Sequence, residues 1–487
     1  MENMESQDRA DEQTRSDKNK TSDNAVQKEM TFWERVRYCV FNGADYLIKN
    51  IIGKYMFVFY TTTLGVPPVW IAIGQPVIKL LDVVTDPLVG EWSDRTRSKM
   101  GRRRPWILFG SIALGIVFPM SWMPGFVMFW EPTQSAVSVF IYFLIFKFLY
   151  YITHTVAVVP YYALGAELST DYQERTRIVA WRHIIGLVGV ILATGSFWLA
   201  TRDYLFPDEE TGVAAVMVLV GLVIIITGTI SSIGTKERVQ INLQKPMPLF
   251  DAVRITFSSK PFVFLVATVL FYGIGQYFAV SFGAYLIIFI LYDGDKSLFA
   301  ELIFEATIVA VLVSVVLNLL IRRISERVEK VTLAKICLGL SLLVPVSVLF
   351  SFNPEYPYLY LIFHALALPI GNTMIEILPL SIVADICDLD QIKSGRRREG
   401  AYVGVYNSAF KSGYLLAPSL SMFLLAYTGF VAGETVQSQE TLQLLRDCLL
   451  GGTALTFGMA FLCGLGIQLR RSEIVEAQRE LDSRVGN

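Results

Sequence analysis

The chain has 487 residues, is 53% hydrophobic and 13% aromatic, and carries a formal net charge of −1. A soluble protein of this length would usually divide into two or three domains of near-average composition. Here the apolar residues gather instead into runs of about 20, the length a helix needs to cross roughly 30 Å of hydrocarbon.

Residues 1–30 are polar, of mixed charge and without an apolar stretch. They read as a disordered cytoplasmic tail, not a signal peptide. Apolar spans follow near 40–62, 69–90, 105–126, 135–163, 178–200 and 212–234. After the polar stretch 235–260 come 261–291, 301–321, 331–351, 358–384, 401–428 and 447–469. The expectation is an all-α membrane protein of twelve transmembrane helices in two bundles of six. Residues 31–234 form the first bundle, 235–260 a cytoplasmic linker, 261–470 the second bundle and 471–487 a cytoplasmic tail. Runs 135–163, 261–291 and 358–384 are long enough to imply tilt, kinks or ends outside the bilayer.

Orientation follows from lysine and arginine counted by loop. With the N-terminus inside, the inner segments hold 34 basic residues and the outer loops only Arg202, Lys296 and Arg446. Both termini are therefore expected in the cytoplasm. The five cysteines are scattered and odd in number, which suggests neither a disulfide framework nor a structural metal site.

An ionisable side chain at membrane depth is costly unless paired or hydrated, so it reads as functional by default. In span 2, Lys79, Asp82 and Asp86 sit at i, i+3 and i+7 on one helical face, with Thr85 beside them. Carboxylates and hydroxyls are the ligands hard cations take. The plainer alternative is that Lys79 and Asp82 neutralise one another as helix-to-helix glue; Asp86 has no obvious partner. Asp45 lies one to two turns into span 1, Glu376 in span 10 and Lys411 about ten residues into span 11. All could meet in one polar cavity between mid-membrane and the cytoplasmic side. Lys54, deep in span 1, could pair with an acid or bind a ligand.

The loop GEWSDRTRSKMGRRRP at 90–105 contains Asp94, Arg95, Arg102 and Arg103. Its structural reading, gating by Asp–Arg pairs and topology by charge, outweighs a substrate contact. Its fixed place between two spans argues against nucleic acid. Asp385, Asp388 and Asp390 with Arg396, Arg397 and Arg398 form its counterpart in the second half.

Two sixes of spans, with a Gly-x-x-x-Asp-Arg…Gly-Arg-Arg loop after span 2, resemble the major facilitator superfamily. DVVTDPLVG followed by DRTRSKMGRRRPW is similar to the glycoside–pentoside–hexuronide:cation symporters, the melibiose-carrier family. VADICDLDQIKSGRRREGAYVGVYNSAFKSGYLLAP at 383–418 and VPYYALGAELSTDYQERTRIVAWR at 159–182 carry further likeness. The resemblance covers the whole membrane part. It implies that Asp82, Asp86, Thr85 and Thr155 bind the coupling cation, Na⁺ or H⁺. It further implies that Asp45 contacts sugar hydroxyls and that Tyr162, Arg182 and Lys411 belong to the substrate site. Glu376 stands where the relative has an aromatic residue, and Asn407 is one turn before Lys411.

One departure bears on substrate. The family's helix-4 aspartate, two residues before a proline, is here Val158, so Asp45 stands without its partner carboxylate. Paired carboxylates suit a neutral sugar because they accept several hydroxyl protons. Of the three histidines, His154 is set apart only by adjoining Thr155; His183 and His364 read as structural.

The expected function is secondary active transport in the plasma (inner) membrane. Cation entry would drive uptake of a sugar or glycoside by alternating access, with no cofactor and with the protein expected as a monomer. The alternative is a lysolipid or other amphiphile on the same fold. An enzyme would need a nucleophile–base set or a His-rich metal cluster, and the sequence offers neither.

Overall fold

The structure is a computed structural model, which describes residues 30–127, 135–169, 171–235, 237, 254–325, 327–373, 378–395 and 398–485. Described residues in regular elements are helical. The helices are α1 (Phe32–Ile51), α2 (Pro68–Arg95), α3 (Arg104–Met120), α4 (Ala136–Ala166), α5 (Tyr172–Ala200) and α6 (Glu209–Gly234). Then come α7 (Lys260–Leu286), α8 (Lys296–Ser325), α9 (Lys330–Ser341, continued by Leu343–Ser351) and α10 (Tyr358–Asn372). The last are α11 (Leu378–Ser394), α12 (Glu399–Tyr427), α13 (Gln439–Leu465) and α14 (Arg471–Val485).

Local chemistry sets several starts. Thr31 and Glu34 form a reciprocal capping box at α1. Asp171, Asp208 and Ser438 each accept a first-turn backbone N–H, from Glu174, Thr211 and Thr441, of α5, α6 and α13. Proline opens α2, α3 and α7, where its missing N–H costs nothing.

Among the described residues seven helices are long and apolar enough to cross a membrane: α4, α5, α6, α7, α8, α9 and α13. The other predicted spans also fall on helices, although these are shorter or carry more charge. Phe109, Ile141, Leu192, Leu219, Ile226, Leu312 and Leu455 are exposed on them. Such a spread of bare aliphatic surface is disfavoured in water and suits lipid. The expected tenth span is α10 and part of α11, with residues 374–377 between them outside the described part. Within 471–487, expected as a tail, Arg471–Val485 is a helix that rests on α11 through Gln478 and Asp388 at 3.2 Å.

One apolar core joins Phe41 and Tyr60 of the first segment, Phe118, Tyr161 and Phe197 to Phe282 and Tyr285 of α7 and Phe299 of α8. A second gathers α7, α9, α11, α12 and α13 around Phe262, Leu338, Ile382, Tyr402 and Phe457. The ends of α1 and α7 depart from α geometry. Ile52–Met56 and Phe59–Thr63 beyond α1, and Ile287–Leu291 beyond α7, are π-helical turns. Such wider turns are rare and are frequent at functional sites.

Candidate functional site

Two contacts place α1. A side chain at Gly189 of α5 would collide with the Gly43 carbonyl, so the two backbones touch. On the other side, Tyr38 and Tyr161 stack at 4.7 Å, and each hydroxyl donates to the other's carbonyl at 3.1 Å. The polar face of α1 is thereby aimed at α4 and α5.

Asp45 is the hub of that face and is 1% exposed. Its Oδ2 accepts from Lys49 at 2.6 Å and from Tyr162 at 2.7 Å, while Oδ1 meets His154 Nε2 at 2.9 Å. Arg182 packs its guanidinium over the Tyr162 ring at 4.4 Å. Its Nε reaches Asn42 Oδ1 at 3.4 Å, and Asn42 Nδ2 donates back to the Arg182 carbonyl at 2.8 Å. Of the expected substrate residues, Asp45, Tyr162 and Arg182 thus form one cluster. Sequence reasoning left Asn42 and Lys49 out of it and gave His154 only its adjacency. The signal existed: Asn42, Asp45 and Lys49 repeat the i, i+3, i+7 spacing of Lys79, Asp82 and Asp86.

The next residue on α4 serves the other carboxylate. Thr155 is buried, and its hydroxyl donates to Asp86 Oδ1 at 3.0 Å. Asp86 therefore has a partner that the sequence did not disclose. It is half-buried beside Thr85, and Pro87 follows it inside α2. Proline lacks the N–H that would bond the carbonyl one turn earlier, which leaves that oxygen available near the carboxylates. Lys79 lies 4.6 Å from the Tyr151 ring. Lys147 is fully buried, with Met56 Sδ at 3.0 Å and the rings of Phe57, Tyr150 and Tyr151 between 5.5 and 5.8 Å. Consecutive residues, His154 and Thr155, therefore connect Asp45 to Asp86.

Other expectations fall differently. Glu376, Arg396 and Arg397 lie outside the described residues, and Asp82 and Lys411 are described only as helical positions. Asn407 is exposed on α12, and no hydrogen bond joins it to the Asp45 cluster among the described residues. Val158 is 5% exposed and belongs to the main apolar core.

The loop arginines pair within the first half. Arg103 bonds Asp94 at 2.6 Å and Glu167 at 3.0 Å; Arg102 bonds Glu167 at 3.2 Å, and Arg95 pairs with Glu91 in its own helix. Burial pushes the Glu167 carboxyl above its ordinary range, against the pull of Arg103 and Arg102. In the second half Arg398 grips Asp390 at 2.7 and 2.9 Å, whereas Asp385 binds Lys330 at 2.8 Å and Asp388 binds Gln478. Only Asp390 of the three acids is joined to the arginine run among the described residues.

The halves are latched at the opposite end, to which α1 runs. Lys296 donates to Thr63 at 2.6 Å and to Glu209 at 2.8 Å, and Arg202 pairs with Glu301 at 3.0 Å. The Gly433 N–H donates to the Thr61 carbonyl at 2.9 Å, and Thr61 shares a hydrogen bond with Tyr285, also at 2.9 Å. Arg202 and Lys296 count in the sequence only as rare outer cations; here they join one half to the other.

Residues 43–466 match the model of a family described as MFS/sugar transport protein. YagG of Escherichia coli (strain K12), assigned by name to glycoside/cation symport, is 26% identical over 86% of this chain and 88% of its own. The sodium-dependent lysophosphatidylcholine symporter 1-A of Danio rerio is 22% identical over 85% of this chain and 82% of its own. Among solved structures, a bacterial homologue of the lysosomal transporter Spinster aligns with a TM-score of 0.60 at 15% identity. That alignment covers 89% of this chain and 96% of that one. At that identity the likeness shows the fold.

Proposed function

The chain belongs to the MFS/sugar transport protein family, and from that premise we propose a cation-coupled symporter that moves a sugar or glycoside by alternating access. Twelve membrane-crossing helices, both termini in the cytoplasm and a place in the plasma membrane complete the reading. A small-molecule substrate and a monovalent cation, Na⁺ or H⁺, are its partners.

The single observation that carries the coupling is the His154–Thr155 step on α4. Thr155 holds Asp86 and His154 holds Asp45, so the two carboxylates are bridged by adjacent residues. A cation at Asp86, completed by Thr85, Asp82 and the carbonyl freed by Pro87, draws the Thr155 hydroxyl into its ligand shell. That shift of α4 acts on His154 and on the acceptors Asp45 offers. A substrate hydroxyl then competes for oxygens that Lys49, Tyr162 and His154 occupy in this state. Coupling of this kind is reciprocal: the cation raises substrate affinity by the factor by which substrate raises cation affinity.

The contacts described here close the end opposite the chain termini and leave the arginine loops bonded within their own halves. In the proposed orientation the Lys296–Glu209 and Arg202–Glu301 pairs form the outer gate. Both members of the first pair are about four-fifths buried. Removing one member of a largely buried pair leaves the other charge without its partner, which destabilises the closed state. Lys296→Ala is therefore expected to speed substrate exchange across the membrane by a few-fold to about tenfold, with substrate affinity unchanged. Altered affinity with an unaltered exchange rate would contradict the gate.

The coupling ion is tested in proteoliposomes supplied with a glycoside panel in the external medium. Uptake above equilibrium under an inward Na⁺ gradient, or under a proton gradient alone, identifies the ion and supports symport. Equilibration without accumulation under both gradients would refute it. The lysophosphatidylcholine symporters among the relatives supply the competing cargo, and lysolipid uptake in place of glycoside uptake in the same vesicles would favour that reading.

A further inference from the structure

The side-chain oxygens at the centre of the Asp45 cluster are engaged in the absence of substrate. Asp45 Oδ2 accepts from Lys49 and Tyr162, and Oδ1 from His154 Nε2. Asn42 Oδ1 lies 3.4 Å from Arg182 Nε and 3.5 Å from the Tyr162 hydroxyl. A substrate hydroxyl that must give up its own proton finds these acceptors already in use.

His154 offers what they do not. An ionised carboxylate can only accept, so the 2.9 Å contact with Asp45 Oδ1 places the ring proton on Nε2. In the neutral ring the second nitrogen, Nδ1, is then an acceptor. No donor bonds it among the described residues: the ring's one hydrogen bond goes to Asp45, and the Tyr150 ring lies 5.5 Å away, centroid to centroid. The side chain is 15% exposed, and Nδ1 is not one of the polar atoms buried without a partner. That edge of the ring is open.

The register of α4 singles out the same nitrogen. His154, Val158 and Tyr162 follow one another at four-residue intervals, on one helical face. Tyr162 spends its proton on Asp45, and Val158 is an apolar core residue, 5% exposed. Of the three, the imidazole carries the strong acceptor that nothing in the cluster uses.

We propose that His154 is a specificity residue of the substrate site: Asp45 holds the ring by Nε2, and Nδ1 accepts the proton of one substrate hydroxyl. The proposal rests on the glycoside-transport reading above and identifies a contact of that same site. It makes one hydroxyl of the substrate obligatory as a donor. A fluorine in its place keeps the size of the group and has no proton to give.

Isothermal titration of the full chain in nanodiscs tests it. The parent ligand is whichever of 4-nitrophenyl β-glucoside, β-galactoside and β-xyloside binds the native protein most tightly, set beside its deoxyfluoro analogues. At one ring position fluorine should cost the native protein about three- to tenfold in affinity, the range of one neutral hydrogen bond. His154→Gln retains an amide N–H for Asp45 and lacks an acceptor where Nδ1 stood. It should weaken the parent glycoside by about the same factor and erase the penalty at that one position, leaving the penalties at other positions intact. His154→Asn puts an amide oxygen near the place of Nδ1 and is too short for Asp45; it should keep the penalty. A double-mutant cycle of this form isolates the contact, because a residue that merely shapes the site would weaken every analogue alike. Equal weakening of parent and all analogues in His154→Gln, or affinities unchanged in it, overturns the contact alone. So does a penalty kept in His154→Gln and lost in His154→Asn, which would assign the effect to the Asp45 bond. Binding of none of the three glycosides overturns the glycoside reading and the contact together.

Discussion

Asp86→Asn is expected to abolish cation-driven accumulation while the protein still folds and inserts. The amide keeps the shape of the carboxylate and still offers an oxygen to the Thr155 hydroxyl, which donates to Asp86 at 3.0 Å. What disappears is the charge. A cation 4 Å from a carboxylate gains about 4 kcal/mol at an effective dielectric constant near 20, so its loss weakens cation binding by roughly a thousandfold. Thr155→Val removes a neutral donor only and should cost about tenfold or less. The measurement is steady-state accumulation under an imposed gradient, beside exchange with no gradient. Asp86→Asn should lose the first and retain the second. Full accumulation in that variant would move the cation site away from α2.

The sequence discloses the helices because lipid imposes a crude rule: a run of about 20 apolar residues must become a helix that satisfies its own backbone. It also discloses Asp45 and Asp86, since charge at membrane depth is rare enough to stand out, whereas Thr155 is marked only by the family resemblance. It does not disclose who pairs with whom. Lys49 looks like one of several span cations until α1 is seen to turn it onto Asp45 one turn away. Arg202 and Lys296 register as counts in outer loops, yet their partners Glu301 and Glu209 lie 99 and 87 residues off. Such contacts depend on how helices distant in sequence meet, which no local spacing encodes. Lys54, open in the sequence to an acid or a ligand, is buried with no hydrogen-bond partner among the described residues. His154 is the sharpest instance. In the sequence it merely adjoins Thr155, and packing alone shows which ring nitrogen Asp45 holds and which it leaves open.

The arginine loops show the same limit from the other side. Their composition invites a latch between halves, but Arg102 and Arg103 spend their bonds on Glu167, at the foot of α4, within the first half. Arg103 and Glu167 are both 2% exposed, so this pair is costly to open. In the proposed cycle these loops hold each half rigid, and movement is left to the outer pairs.

Asp45→Asn is expected to reduce substrate affinity by about a hundredfold or more and to leave the cation site standing. Three donors converge on Asp45, from Lys49, His154 and Tyr162. An amide presents one acceptor and one donor, so at least one of those groups faces a donor in the variant. Breaking a buried charged pair costs about 3–5 kcal/mol. The cost to folding should fall below that range, because the Lys49 side chain is 45% exposed and can turn to water. The cost to substrate has no such outlet: its hydroxyls lose the carboxylate at the centre of the cluster. Thermal shift separates the two carboxylates. Asp45→Asn should keep the rise in melting temperature that cation produces and lose the rise that substrate produces, while Asp86→Asn should lose the cation response. By reciprocity each variant also loses the extra stabilisation seen when both ligands are present. Native-like substrate affinity in Asp45→Asn would remove Asp45 from the binding site and reduce its cluster to a brace between α1, α4 and α5.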